Sequence, residues 1–242
     1  MTLSSFLPFV ERHLHFAETA STNDHAKTLT ELPQNGIMVI TADRQSAGRG
    51  QRGNSFFSSI AGGLWVTIVA PLERLEDHFI HNRAVSLSVC DVIGGNLPER
   101  RVTVKWPNDV YIGDRKVCGI LLESMPESKG HLIIGFGVNI NLLPDQFPAE
   151  IRDIANSLLI ESKKAWDPAL LLRDMLAGYY VYKSADQNGV HERYRASLYG
   201  RGHQAEIHGK RGVFEDVLPD GRLCLKTDRG VEHISSGPMR LL

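Results

Sequence analysis

The segment that most limits how this chain can fold is Lys105-Trp106-Pro107-Asn108-Asp109. It closes a β-prone stretch carrying Val102 and Val104, and Pro107 has no N–H to give to a central ladder, so the strand must stop there. Asn108 and Asp109 are left at a strand end, where binding groups are commonly placed. Asp109 has a local alternative, an ion pair with Lys105. Trp106 reads as packing, because tryptophan is highly buried on average.

A second segment, Ser46-Ala47-Gly48-Arg49-Gly50-Gln51-Arg52-Gly53, holds three glycines and two arginines. Glycine lets backbone amides approach an anion, and guanidinium grips phosphate oxygens with a planar fork that lysine lacks. Alone, Gly-Arg-Gly also makes solvated turns. Lys116, in Asp114-Arg115-Lys116, is likewise an ordinary hairpin charge run when taken by itself. Together these cations read as a site for a phosphate or an adenylate.

Strand-like runs at 37–41, 64–69, 102–105, 116–123 and 132–139 alternate with helix-like segments at 23–31, 79–94 and 168–182. Strands 102–105 and 116–123 are joined by 111–115, which reads as a hairpin, so the expected fold class is α+β: a mixed sheet packed against helices. From about Leu198 glycines replace helix formers, and Pro219-Asp220-Gly221 is a turn signal. Residues 198–242 read as a small all-β module after a larger domain spanning 1–197.

With 242 residues the chain can bury roughly 70–75% of its unfolded surface. A net charge of -1 without a basic stripe argues against a nucleic-acid partner. Cys90, Cys118 and Cys224 lack metal-ligand spacing and suit a reduced compartment. The first ten residues lack the basic leader of a secretory signal, and no stretch reaches the ~20 apolar residues of a membrane span. The expected location is cytoplasmic, with no membrane partner. His13 and His15 could share a strand face and His78 and His81 a helix face, but neither pair brings a third ligand. No Gly-x-x-x-x-Gly-Lys-Ser/Thr loop occurs.

Ser21-Thr22-Asn23, Gln45 ahead of Gly48-Arg49-Gly50, Lys105 to Asp109, Lys116-Val117-Cys118-Gly119-Ile120-Leu121 and Gly135-Phe136-Gly137-Val138-Asn139 occur in this order. The set resembles the biotin protein ligase family over nearly the whole chain. The resemblance implies a catalytic domain of the type shared with class II aminoacyl-tRNA synthetases and a C-terminal SH3-like β-barrel. It implies an enzyme that activates biotin with Mg-ATP to biotinyl-5'-adenylate and transfers biotin to one lysine of a biotin carboxyl carrier protein, such as that of acetyl-CoA carboxylase. A homodimer is a further expectation. Only 20 residues precede Ser21, which reads as a short form without an N-terminal DNA-binding domain.

The resemblance assigns catalysis to Lys116, Arg49, Arg52 and Asp109, with Asp109 also addressing magnesium. Biotin would lie along Ser21, Thr22, Asn23, Gln45, Gly48, Arg49, Gly50, Gln51, Lys116 and Gly119. The adenylate would meet Arg49, Arg52, Phe56, Asn108, Lys116 and Asn139. Ser21 or Thr22 could instead cap the following helix. The chain departs from the family where an arginine often follows Gly-Arg-Gly: it has Gln51, then Asn54 and Phe56. Gln51 carries no charge, which predicts a less tightly held adenylate, while Phe56 or Phe57 can still stack on adenine. The rival readings are a lipoate or octanoate ligase of related fold and a non-catalytic biotin sensor.

Overall fold

In a computed structural model, which describes residues 3–72, 74–125 and 130–242, six α-helices and twelve strands follow one another. They are α1 (Leu3–Phe6), β1 (Val10–Thr19), α2 (Thr22–Lys27), β2 (Ile37–Gln45), β3 (Gly63–Pro71), α3 (His78–Asn96), β4 (Val102–Lys105), β5 (Asp109–Ile112), β6 (Arg115–Ser124) and β7 (His131–Asn139). After them come α4 (Leu158–Ser162), α5 (Pro168–Ser184), α6 (Gln187–Ala196), β8 (Gln204–Ile207), β9 (Lys210–Val217), β10 (Leu223–Thr227), β11 (Gly230–Ile234) and β12 (Met239–Leu241). Residues 1, 2, 73 and 126–129 of the expected larger domain, and with them the first two residues of the N-terminal stretch, lie outside the described residues.

Seven strands form a mixed sheet in the order β1-β2-β3-β7-β6-β5-β4. Only β1 and β2 run parallel, because α2 carries the chain across between them; the other neighbours are antiparallel. Leu64, Val66, Ile68 and Ala70 of β3 point into the main core, which α3 and α5 cover. Val85, Leu87, Val89 and Ile93 of α3 are at most 2% exposed, each contributing roughly 1.5–3 kcal/mol by leaving water. The alternate residues of β3 face the other side, where Ala26 of α2 packs with Met38, Ile40, Val69, Met125 and Ile133.

The expected strands and long helices are present, with three corrections. The expected hairpin between 102–105 and 116–123 contains a further strand: β4 pairs with β5, and β5 with β6. Three residues, Trp106, Pro107 and Asn108, are enough to reverse the chain, so Asp109 starts a strand of its own. Helix α2 stops at Lys27, not Glu31, where the Thr28 amide and hydroxyl both turn back to the His25 carbonyl. Strand β1 was not among the expected strand runs, although a strand face shared by His13 and His15 was; its charged and histidine-rich sequence sits at the sheet edge, where His13 and His15 both reach the Thr41 hydroxyl, at 2.9 and 3.0 Å.

Strands β8 to β12 form a separate antiparallel sheet, ordered β11-β10-β9-β8-β12, with β11 and β12 at its edges. It docks on the larger sheet through Trp106, whose indole Nε1 donates to the Gly221 carbonyl at 2.9 Å, and through Leu198, which bridges Val104. Gly221 belongs to the expected Pro219-Asp220-Gly221 turn between β9 and β10. Among the described residues, no helix is long and apolar enough to cross a membrane.

Candidate active site

The C-terminal ends of the parallel pair β1 and β2 bring Thr19 and Gln45 into register. Such strand ends are where open sheets with parallel strands place their ligands. Immediately beyond them a cleft of about 300 Å³ opens over the sheet face opposite α3 and α5. Its floor is bare because Gly119 of β6 pairs with Gly137 of β7, and Gly137 pairs in turn with Trp65 of β3. The Phe56 ring lies on this floor: a Cβ at Gly137 would stand 2.6 Å from it and one at Gly119 2.9 Å. Phe56 meets Trp65 edge-on at 5.8 Å between centroids.

One end of the cleft is a neutral hydrogen-bond network. Ser21 caps α2 by accepting from the Asp24 amide, which leaves Thr22 and Asn23 in the first turn facing the sheet. The Thr22 amide and hydroxyl donate to Gln45 Oε1 at 2.8 and 3.0 Å, and Gln45 Nε2 donates to Ser58 at 3.1 Å. Asn23 Oδ1 can only accept, so the Thr67 hydroxyl donates to it at 2.6 Å, while Asn23 Nδ2 donates to Glu123 at 2.8 Å. Asn23 fits because Gly135 has no side chain: a Cβ there would lie 2.3 Å from Asn23 Oδ1.

The other end is cationic. Lys116 Nζ stands 2.7 Å from Asp109 Oδ1 and 5.6 Å from the centre of the Phe56 ring. The Asp109 contact is off the axis of a hydrogen bond, so it is held by charge. Lys105, across the β4–β5 pair from Asp109, donates instead to Tyr111 at 3.2 Å, which settles the alternative in favour of Lys116. Burial pushes the Lys105 ammonium below the usual lysine range; Asp109 opposes the shift and Lys116 adds to it. The backbone of Lys116 is fixed on both sides, its amide donating to the Ile154 carbonyl and its carbonyl accepting from Asn156.

The glycine–arginine loop folds back on itself over the cleft: the Gly50 amide donates to the Asn54 carbonyl and the Phe56 amide to the Gly48 carbonyl. Arg49 Nε pairs with Asp24 of α2 at 2.8 Å. Arg52, in the left-handed region at φ 59°, reaches away to Ser236 of the C-terminal sheet at 3.1 Å. That sheet supplies Gly237, Pro238 and Met239 to the cleft wall.

The structure thus gathers Ser21, Thr22, Asn23, Gln45, Arg49, Gly50, Gln51, Arg52, Phe56, Asn108, Asp109, Lys116 and Gly119 around one cleft. Two of the expected residues are not on its wall. Gly48 packs under the loop, where a Cβ would meet Ser58 at 2.1 Å. Asn139 is buried and donates to the Asn156 carbonyl at 2.9 Å, one link behind Lys116. Asn108 lines the cleft but commits its side-chain amide to the Ile120 carbonyl.

Sequence reasoning missed Thr67, Ser58 and Glu123, and the role of Asp24 and Lys27. Two signals pointed to them: Thr67 is a lone hydroxyl in an apolar strand, and Glu123 shares a face with Gly119 and Leu121 by strand alternation. Burial would raise the Glu123 carboxyl, but hydrogen bonds from Lys27 and Asn23 and the charges of Lys27 and Arg49 outweigh it and hold it below the usual range.

A cleft with hydrogen-bonding groups at one end and fixed cations at the other suits a carboxylic acid carrying a polar ring and a nucleotide phosphate. Comparison with known proteins agrees. The biotin/lipoate A/B protein ligase family matches residues 16–140. The biotin–[acetyl-CoA-carboxylase] ligase of Paracoccus denitrificans is 30% identical over 238 residues, 90% of this chain and 95% of that protein. The bifunctional ligase/repressor BirA of Bacillus subtilis is 27% identical over 249 residues, 95% of this chain and 74% of that protein. A solved biotin protein ligase of Aquifex aeolicus, in complex with biotin and ATP, superposes with a TM-score of 0.79 at 26% identity, covering 96% of this chain and 99% of that one. The match spans the strand-end loops that build the cleft, and the chain belongs to the biotin/lipoate A/B protein ligase family.

Proposed function

We propose that this chain is a biotin protein ligase. It condenses biotin with ATP to biotinyl-5'-adenylate and pyrophosphate, then passes the biotinyl group to the ε-amine of a lysine on a biotin carboxyl carrier domain. The observation that carries this reading is the convergence of the Thr22–Gln45–Asn23 network, Lys116 and Arg49 on one cleft, whose glycine floor lets the Phe56 ring lie flat against the sheet between the two ends.

A carboxylate is a poor electrophile, so the acid must be activated first. One of its oxygens attacks the α-phosphorus as the bond to pyrophosphate breaks, bringing two anions together. Lys116 and Arg49 supply the opposing charge before the reaction begins, and each such group is worth about 2.7–4 kcal/mol of barrier by analogy with oxyanion stabilisers. In the second step the neutral acceptor amine attacks the acyl carbon and AMP leaves. Positioning and electrostatics suffice, without a covalent enzyme intermediate. Thr22, Asn23 and Gln45 offer the donors and acceptors that a ureido ring needs, which favours biotin over a plain acyl chain.

Magnesium fits this donor set. It prefers one or two carboxylates together with phosphate oxygens and water, and Asp109 is the carboxylate on the cleft wall among the described residues. Bound there with the triphosphate, the ion would neutralise charge on the leaving pyrophosphate. Asp109 holds Lys116 beside that position. Arg52, tied to Ser236, supports the loop at the junction with the C-terminal sheet, which we read as an SH3-like module beginning near Leu198 after a catalytic domain of residues 1–197. Three free, buried cysteines fit a cytoplasmic enzyme, and a second copy of the chain is a further partner in this reading.

The test is to incubate the purified protein with Mg-ATP and equimolar biotin, lipoate and octanoate, and to identify the acyl-adenylate by mass spectrometry. Biotinyl-adenylate is the expected product. A lipoyl or octanoyl product would overturn the acid, and no adenylate would overturn the activity.

A further inference from the structure

We infer that Asp24, Lys27 and Glu123 form a charged strut that positions Asn23 against the bound acid and Arg49 over the adenylate, so that the two ends of the cleft are held by one set of contacts. The inference rests on the biotin ligase reading above and adds to it three residues that touch no substrate themselves.

The strut is continuous. Glu123 accepts from Asn23 Nδ2 through Oε2 at 2.8 Å and from Lys27 Nζ through Oε1 at 2.7 Å. Lys27 also meets Asp24 Oδ1 at 3.3 Å, and Asp24 Oδ2 meets Arg49 Nε at 2.8 Å. Each carboxylate commits both oxygens, one to Lys27 between them and the other outward, Glu123 to Asn23 and Asp24 to Arg49. Asn23 and Asp24 are adjacent in α2 yet serve opposite ends of the cleft, and the six-residue helix is the rigid piece between them.

The geometry decides more than proximity. A carboxylate can only accept, so Glu123 forces the Asn23 amide nitrogen towards β6 and its oxygen towards the Thr67 donor. That fixes which face of the amide the ligand meets. Arg49 Nε stands 2.8 Å from Asp24 Oδ2, an ion pair that draws the planar guanidinium towards α2 at the loop end of the cleft. Exposed ion pairs contribute little on their own. Here Asn23 is 4% exposed and the side chains of Lys27 and Glu123 are each 23% exposed, so the floor end of the strut is sheltered; at the loop end Asp24 is 33% and Arg49 53% exposed, and that pair acts on the free loop more weakly.

Four substitutions in the full chain separate positioning from structure. The readouts are the Kd for biotin alone, the dissociation rate of supplied biotinyl-5'-adenylate, and the thermal midpoint. Glu123→Gln leaves one neutral acceptor for two donors, Asn23 Nδ2 and Lys27 Nζ, and is expected to weaken biotin binding about tenfold, with a smaller change in adenylate release. Asp24→Asn is expected to speed adenylate release about tenfold while biotin binding stays within about twofold. Lys27→Met is expected to move both, and Asp24→Glu to recover most of the release rate. If all variants stay within twofold of wild type, or lose both readouts in parallel with the thermal midpoint, the strut is structural only and the inference falls. If the wild-type chain itself fails to bind biotin, the proposed function falls and takes the inference with it.

Discussion

Lys116 Nζ and Asp109 Oδ1 stand 2.7 Å apart across the β5–β6 pair, at the edge of the glycine floor, where Asp109 pairs with Gly119. The pair puts a cation and a carboxylate side by side where the α-phosphate and its metal are proposed to meet. Lys116→Ala should lower the rate of adenylate formation by ~100-fold or more if the charge acts in the transition state. Pyrophosphate release under saturating biotin and ATP measures it, and a near-normal rate would remove Lys116 from the mechanism. Asp109→Asn should instead raise the magnesium concentration needed for half-maximal rate, which a metal titration reads directly.

Gly135 is required by Asn23. A methyl group there would come within 2.3 Å of Asn23 Oδ1 and 2.8 Å of Nδ2, and Asn23 is buried and bonded on both sides, so it cannot swing away cheaply. Overpacking of this kind costs about 1–3 kcal/mol. Gly135→Ala should therefore lower stability by that order in chemical denaturation and weaken biotin binding in the same protein by calorimetry. Unchanged biotin affinity would show that Asn23 does not shape the ligand end.

Trp106 links the cleft to the C-terminal sheet. Its indole is 1% exposed and donates to the Gly221 carbonyl, so Trp106→Phe keeps an aromatic ring but leaves that carbonyl without its donor. The expected loss is about 1–3 kcal/mol in urea unfolding. Adenylate retention should fall with it, because Gly237 to Met239 of the same sheet wall the cleft.

What the sequence discloses about this molecule follows the range of the contacts. Lys105 to Asp109 and the glycine–arginine loop are local, and Pro107 and three glycines constrain their backbone whatever lies around them. Strand β5 escaped because Asp109 to Ile112 is four residues long and begins inside the segment that ends β4. Strand β1 escaped because Arg12, His13 and His15 lie on an edge, where burial imposes no apolar alternation. Asn139 reads as a ligand contact because its motif places it beside the floor glycines, yet the next turn of chain, at Asn156, reaches it first. The wall formed by Gly237 to Met239 depends on how one sheet docks on another, through Trp106 and Leu198. No local pattern encodes that.

His81 gives a pH dependence with a definite sign. It is buried beside Tyr179, with 2.7 Å between His81 Nδ1 and the hydroxyl, and burial pushes its pKa down to about 4. The unfolded chain, near 6.5, therefore binds a proton that the folded chain refuses between those values. Stability falls as pH drops through that window, by about 3 kcal/mol in all, and is unaffected by this group above it. His81→Gln should flatten the acid limb of stability between pH 6.5 and 4 in denaturant titrations; an unchanged limb would assign it to other groups.

Gln51 lines the cleft between Arg49 and Arg52 but brings no charge. The loop already spends its two cations elsewhere in part: Arg49 Nε on Asp24 and Arg52 on Ser236. An arginine at position 51 would add a guanidinium with no partner among those contacts, free to grip a phosphate. A charge-assisted hydrogen bond is worth about 1.5–3 kcal/mol, so Gln51→Arg should slow release of biotinyl-adenylate by about tenfold or more. The first step needs no such change, since Lys116 and Arg49 are already in place. Adenylate formed on the enzyme and chased with unlabelled biotin and ATP gives the release rate for both proteins. Equal rates would mean that residue 51 does not reach the phosphate, and that Arg49 alone holds the intermediate on this side of the cleft.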